Sequence, residues 1–353
     1  MEKNTFKYQQ QWQLESGATL SGFELAYHTA GTLNDDCSNV IWVCHALTAN
    51  SDVSDWWEGL YGPGKAFDPE KYFIICANIP GSCYGSTNPL SVNPDTGKPY
   101  YHSFPQLTIR DIAGALDKLR VHLNIHHIHT LVGGSLGGQQ VLEWAFLKPN
   151  LFSKIVPVAT NVQHSPWGIA YNETQRMAIA NDPTWSNDDP QAGLEGMKTA
   201  RAVALLSYRS YKTYERSQKE LSTELTDHYK ASSYQQYQGD KLAKRFNAFS
   251  YWQLSKAMDS HHLGRGRGSV QEALSKIEAE ALVIGINSDN LFPIKEQVFL
   301  FNNLQKAQLE IIDSSFGHDG FLTETEKLNP LLYRFINTRS SVSIADNSLA
   351  TTL

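Results

Sequence analysis

The stretch GGSLGG (133–138) sets Ser135 between Gly133 and Gly137, and a serine in that setting can serve as a nucleophile. A serine on a sharp strand-to-helix turn needs neighbours without side chains at both two-residue offsets, because a Cβ there collides across the turn. Such a turn aims Oγ into a pocket. It also leaves the N–H of the next residue, Leu136, at a helix N-terminus, where it can stabilise an oxyanion. The ordinary alternative is a glycine-rich turn with an incidental serine, since the short pattern alone recurs by chance. Here Thr130–Val132 reads as a strand before the turn, and residues from about Gly138 to Leu147 read as a helix that Pro149 helps to stop. That context favours covalent acyl chemistry.

A serine hydroxyl is inert near neutral pH without a base. Where a strand–Ser–helix elbow occurs, its partners follow in the chain as an acid and then a histidine. Of twelve histidines, His318 alone sits in a short loop (FGHDGF) after a late strand and before the final helix. His45 precedes the serine, and His261 and His262 fall in a helical stretch. His122, His126, His127 and His129 crowd a helix-to-strand connection without the acidic co-ligands or helical spacing of a metal site, so no metal is expected. The acid is read as Asp289, just after the strand ALVIGI; Asp313 is its rival, also ending a strand but close to His318 in sequence. Either could equally be a turn-capping aspartate. A second oxyanion donor is expected from the loop after an early strand, with the N–H of Leu47 in HALTANSD as the choice.

The surrounding elements must hold these groups. Val40–Cys44, Tyr72–Ala77 and Lys154–Ala159 are apolar runs that read as buried strands, and Cys44 and Cys76 within them read as buried thiols. Thr108 with Asp111 resembles a capping-box start for a helix reaching Leu123. From about 163 to 268 the strand rhythm stops, and helical spacing takes over, as in Glu195–Tyr208 and Lys241–Asp259. It returns with Ala281–Ile286, a helix opened by Pro293, the strand Leu309–Ile312, and a helical end over Asp319–Thr338 restarting at Asn329–Pro330. The expected fold is α/β, of the α/β-hydrolase type: a mostly parallel sheet with helices on both faces and an inserted helical lid. The boundaries follow as a discontinuous core (1–162 and 269–338), a lid (163–268) and a small, polar, mobile tail (339–353).

Composition excludes several classes. A net charge of −6 gives no sign of nucleic-acid binding. No run approaches the ~18 apolar residues that span a bilayer, the start MEKNTFKYQQ lacks a signal-peptide pattern, and no cysteine pair has metal-ligand spacing. A cytoplasmic protein is the expectation.

Over nearly its whole length the chain resembles the homoserine O-acetyltransferase family of methionine biosynthesis. The matching stretches include HALT (45–48), CYGSTNPLSVNPDTGKPY (83–100), GGSLGGQQVLEW (133–144), LLSYRS (205–210), YQGDKLAKRFNAFSYWQLSKAMDSH (237–261), GRGRG (264–268), SDNLFP (288–293) and GHDGFL (317–322). The resemblance implies a ping-pong reaction in which Ser135 takes an acetyl group from acetyl-CoA and passes it to the side-chain hydroxyl of L-homoserine, with no permanently bound cofactor. It also implies that Arg201 holds the substrate carboxylate, that Asp319 pairs with its ammonium, that Tyr208 lines the pocket, and that two copies pair through the lid helices. One fixed cation and one fixed anion suit a zwitterion. A surface salt bridge for Arg201 and a helix-terminal role for Asp319 are the ordinary alternatives. The chain departs from the family pattern at IPGSCYG (79–85) and at His261–His262; the first leaves acetyl against succinyl open. An esterase, a succinyl donor, a serine acceptor and a non-catalytic binding protein on the same scaffold are the competing readings.

Overall fold

The computed structural model describes residues 1–338, and the expected tail at 339–353 lies outside the described residues. Eight strands form one sheet: β1 (Glu2–Tyr8), β2 (Phe23–Ala30), β3 (Val40–Cys44), β4 (Phe73–Ala77), β5 (Ile128–Gly134), β6 (Phe152–Val158), β7 (Glu280–Ile286) and β8 (Ala307–Ile312). Their spatial order is β1-β2-β4-β3-β5-β6-β7-β8. Only β1 with β2 and β2 with β4 are antiparallel; every other pair is parallel.

The central strands are largely apolar because both faces are covered. Along β3 the side chains alternate between two cores: Trp42 packs with Leu116, Leu119 and Trp144, while Ile41 and Val43 pack with Leu328, Leu332 and Phe335 on the other side. The Trp42 and Trp144 rings meet edge to face with centroids 4.9 Å apart. Thr108 does cap the helix Ile109–His122, its side chain and that of Asp111 exchanging bonds with each other's backbone N–H.

Between β6 and β7 the described residues form only helices, chief among them Pro166–Ala180, Leu194–Tyr208, Lys230–Ala243 and Ala248–Asp259. Their apolar sides, including Ile179, Met197, Leu242 and Tyr251, merge with Leu47, Leu136 and Phe292, which adjoin the elbow. The two ends of this segment meet. His164 N–H donates to the His261 carbonyl at 2.9 Å and Leu263 N–H to that of Val162 at 3.0 Å, with Gln163 opposite His262.

Three local expectations need correction. Lys241–Asp259 is not one helix: it breaks after Ala243, and Asn247 caps the second helix by accepting from Ser250 N–H at 2.8 Å. Pro293 is the cap residue rather than the first helical one, since its ψ of 153° is extended. The final helix restarts at Thr325 and carries Pro330 inside it; the break falls at Glu324 (φ −86°, ψ 44°), which leaves the helical region.

The GRGRG stretch earns a structural account. Glu143, buried on the helix Leu136–Leu147, accepts from Arg267 and, at 3.0 Å, from Arg110 Nε, while Arg265 grips Glu15 through two bonds at 2.9 and 2.8 Å. Arg267 also lies 4.0 Å over the Phe146 ring. The chain's return from the helical segment is thus pinned to the helix that starts at the elbow. Removing the buried carboxylate leaves the largely buried Arg267 guanidinium without a carboxylate, while Arg110 keeps Glu15, so Glu143→Ala should cost about 3–5 kcal/mol in urea unfolding. A loss below about 1 kcal/mol, the range of an exposed pair, would contradict this account.

Candidate active site

Ser135 stands where β5 turns into the helix Leu136–Leu147, with a left-sided backbone (φ 57°, ψ −122°) that a non-glycine residue adopts only under strain. The glycines on either side are demanded by close approach. A Cβ at Gly137 would stand 2.2 Å from the Cys44 carbonyl oxygen, and one at Gly133 would stand 2.5 Å from the Gly137 backbone. The turn is clamped further by Ser135 N–H to the Val158 carbonyl at 2.9 Å and by Thr160 Oγ1 donating to the Ser135 carbonyl at 2.8 Å.

The structure brings the serine, histidine and first-choice aspartate together. His318 Nε2 lies 2.9 Å from Ser135 Oγ, and its Nδ1 lies 2.6 Å from Asp289 Oδ2. The other Asp289 oxygen accepts from the N–H groups of Leu291 and Phe292, both at 2.8 Å, which fixes the carboxylate. All three residues are buried, and the rings of Phe292 and Phe321 flank the imidazole at 5.0 Å. The rival Asp313 is exposed and takes Asn287 Nδ2 instead. Their positions at the carboxyl ends of β5, β7 and β8 follow from parallel strands that all deliver their loops to one edge.

The early loop is set by a group that the sequence left aside. His45, fully buried, accepts from Ile79 N–H at its Nε2 (3.0 Å), so Nδ1 carries the proton and donates to the Ala46 carbonyl at 2.8 Å. In a trans peptide the carbonyl and the following N–H point opposite ways. Fixing the Ala46 oxygen therefore fixes the Leu47 N–H, which makes no hydrogen bond among the described residues. Gln140 adds a bond from its Nε2 to the His45 carbonyl at 3.1 Å. Leu136 is the first residue of its helix, so its N–H has no intrahelical acceptor.

A cavity of about 630 Å³ opens onto Ser135 and His318 and is lined also by Leu47, Arg201, Tyr208 and Asp319. Arg201 lies over the Tyr208 ring at 5.5 Å and holds no carboxylate among the described residues. Burial raises the Tyr208 phenol, which stays protonated. Asp319 is not free: its Oδ2 accepts from Arg209 Nε at 3.1 Å, a pairing that sequence reasoning missed because Arg209 lies 110 residues away. The histidines at the start of β5 scatter onto separate partners, His127 on Ser153 at 3.0 Å and His129 on Thr130 at 2.8 Å. Among the described residues no helix is long and apolar enough to cross a membrane.

A strained serine, an imidazole within hydrogen-bonding reach and a carboxylate behind it, on this sheet order, define an α/β-hydrolase-fold protein with triad geometry. The alpha/beta hydrolase fold family matches residues 39–325. A homoserine O-acetyltransferase from Cyclobacterium marinum is 51% identical over 335 residues, 95% of either chain. The crystal structure of a homoserine O-acetyltransferase from Bacillus anthracis superimposes with a TM-score of 0.89 at 27% identity, covering 96% of this chain and 98% of that one. Esterase E22, at 23% identity and a TM-score of 0.87 over 95% of this chain and 99% of that one, shows the shared fold alone. The chain belongs to the homoserine O-acetyltransferase family, built on the α/β-hydrolase fold.

Burial pushes His45 and His164 down to about 4 and His261 down to about 3. Each is neutral in the fold and gains a proton near 6.5 once unfolded, so the unfolded chain binds more protons between these values. Their stabilisation is complete above pH 6.5 and is lost as pH falls toward 4, at up to about 1.4 kcal/mol per pH unit for each group. Urea unfolding at pH 7.5 and pH 5 should show a drop of several kcal/mol at the lower pH. Equal stability at the two values would contradict the neutral assignment.

Proposed function

We propose that this protein transfers an acetyl group from acetyl-CoA to the side-chain hydroxyl of L-homoserine through an acyl-Ser135 intermediate. The observation that carries the reading is the unbroken bond chain Ser135–His318–Asp289 in the wall of a cavity that also holds Arg201 and Asp319. The naming of a 51% identical relative supports the choice of acyl group and acceptor.

In the first half-reaction His318 Nε2 takes the Ser135 proton as Oγ attacks the thioester carbonyl. The oxyanion forms against the N–H groups of Leu47 and Leu136. Collapse breaks the C–S bond, and the leaving thiolate takes the proton back from His318. Asp289 keeps the imidazole oriented and balances the imidazolium. In the second half-reaction His318 removes the proton from the homoserine hydroxyl, the new ester forms, and the Ser135 Oγ leaves with that proton. Arg201 would grip the α-carboxylate and Asp319 the ammonium, with Arg209 holding the Asp319 side chain in place and Tyr208 forming the wall.

Water competes for every acyl-serine. At about 55 M it outruns a millimolar acceptor unless the acceptor is oriented, which can be worth an effective molarity of 10⁵ M or more. The helical segment (163–268) acts in this reading as the lid that supplies Arg201 and Tyr208. Exposed Trp167, Met177, Leu206 and Tyr211 on its helices support pairing of two copies there, in the cytoplasm.

CoA-thiol release, measured with acetyl- or succinyl-CoA against homoserine and serine, tests the assignment. Acetyl-CoA with homoserine should give the highest kcat/KM, and Ser135→Ala should lower kcat by about 10⁴-fold or more. Arg201→Ala should raise the homoserine KM about tenfold or more while leaving formation of the acyl-enzyme much less affected. Rapid hydrolysis of p-nitrophenyl acetate that homoserine does not divert would instead mark an esterase.

A further inference from the structure

Two cations on the rim of the Ser135 cavity take no part in the chemistry above. Lys241 and Arg245 line it from the carboxyl end of the helix Lys230–Ala243 and the turn that follows, and both are exposed. Elsewhere in the molecule Arg110, Arg120, Arg176, Arg209, Arg265 and Arg267 each hold a carboxylate. Among the described residues Lys241 and Arg245 hold none, and the Lys241 side chain makes no hydrogen bond. Arg245 is nonetheless fixed in place: its Nη1 donates to the Thr48 carbonyl at 2.6 Å and to the Tyr84 hydroxyl. Among the described residues that leaves Nε and Nη2 without partners. The two carboxylates that line the cavity are already engaged, Asp55 with Asn50 Nδ2 at 2.9 Å and Asp319 with Arg209. The rim therefore offers unpaired positive charge, with a pre-set guanidinium one residue past the Leu47 N–H.

Planar guanidinium groups with free N–H pairs bind phosphate oxygens by two bonds, and an ammonium adds a mobile point charge. A cavity of about 630 Å³ is of the size that encloses a drug-sized ligand. An acyl group and its pantetheine arm fit that description, which leaves the anionic end of the donor at the opening. We propose that Lys241 and Arg245 seat the diphosphate of a coenzyme A thioester at the rim of the Ser135 cavity. This rests on the acyl-CoA reading above and names the residues that recognise the donor's charged end.

The test compares acetyl-CoA with S-acetylpantetheine, which carries the same reacting thioester without any phosphate. The measured quantity is the ratio of kcat/KM for the two donors, with homoserine saturating, in wild type, Lys241→Ala, Arg245→Gln and the double variant. The ratio should fall about fivefold or more in each single variant and about thirtyfold or more in the double, with Arg245→Lys, which keeps the charge but not the two-bond grip, falling less than Arg245→Gln. Rising salt should lower the wild-type ratio and change that of the double variant far less. A positive pair that merely complements the helix terminus would alter both donors alike. A ratio within twofold of wild type in the double variant overturns the phosphate seat, as does a wild-type ratio near one. Wild-type protein that turns over neither donor overturns the acyl-transfer reading itself, an outcome distinct from either of these.

Discussion

Ser135 occupies a backbone conformation that the chain would leave if anything gave way around it. The strain is tolerable because the turn is held from four sides at once: the Val158 carbonyl, the Thr160 hydroxyl, the near contact of Gly137 with the Cys44 carbonyl, and the helix that begins at Leu136. Val158 and Thr160 belong to β6 and the loop that leaves it, and Cys44 to the end of β3. The sheet order is thus a requirement of the serine's position as much as a packing solution, since β3, β5 and β6 must lie side by side for the three carbonyl and hydroxyl contacts to converge. A strained residue persists only where its surroundings over-determine it.

Burial acts in two opposite ways around this point. It keeps His45 neutral, and a neutral imidazole is what can accept from Ile79 N–H and donate to Ala46 at the same time. The same low-polarity setting makes any unpaired charge costly, and Glu143 and Asp289 are accordingly surrounded by donors. Charges without an ion pair, such as Lys241 and Arg245, lie instead at exposed positions, where hydration supports them.

Much of this was legible in the residues. The elbow, the late histidine and the acid after ALVIGI could be read because each depends on a short local pattern, and chain order then selects Asp289 over Asp313. The strands β3 to β8 were legible for the same reason, as apolar runs bounded by turn residues. β1 and β2 were not singled out: Glu2–Tyr8 has only Phe6 buried and so lacks a continuous apolar signal. The role of His45 was hidden because it is defined by Ile79 and Gln140, 34 and 95 residues distant. The split of Lys241–Asp259 turned on a single capping asparagine inside otherwise helical spacing, and the Arg209–Asp319 pair on a long-range approach that no spacing rule describes.

The meeting of Val162 with Leu263 and of His164 with His261 has a consequence for how such a protein can change. About a hundred residues leave and re-enter the scaffold through a gap no wider than a pair of neighbouring chains, so the closing of that excursion places no tension on β6 or β7. Lengthening or shortening it alters the entropy of closure only logarithmically. A whole helical excursion can therefore be transplanted between relatives at these two crossings while the elbow keeps its shape. The excursion and the elbow are, in that sense, separately heritable.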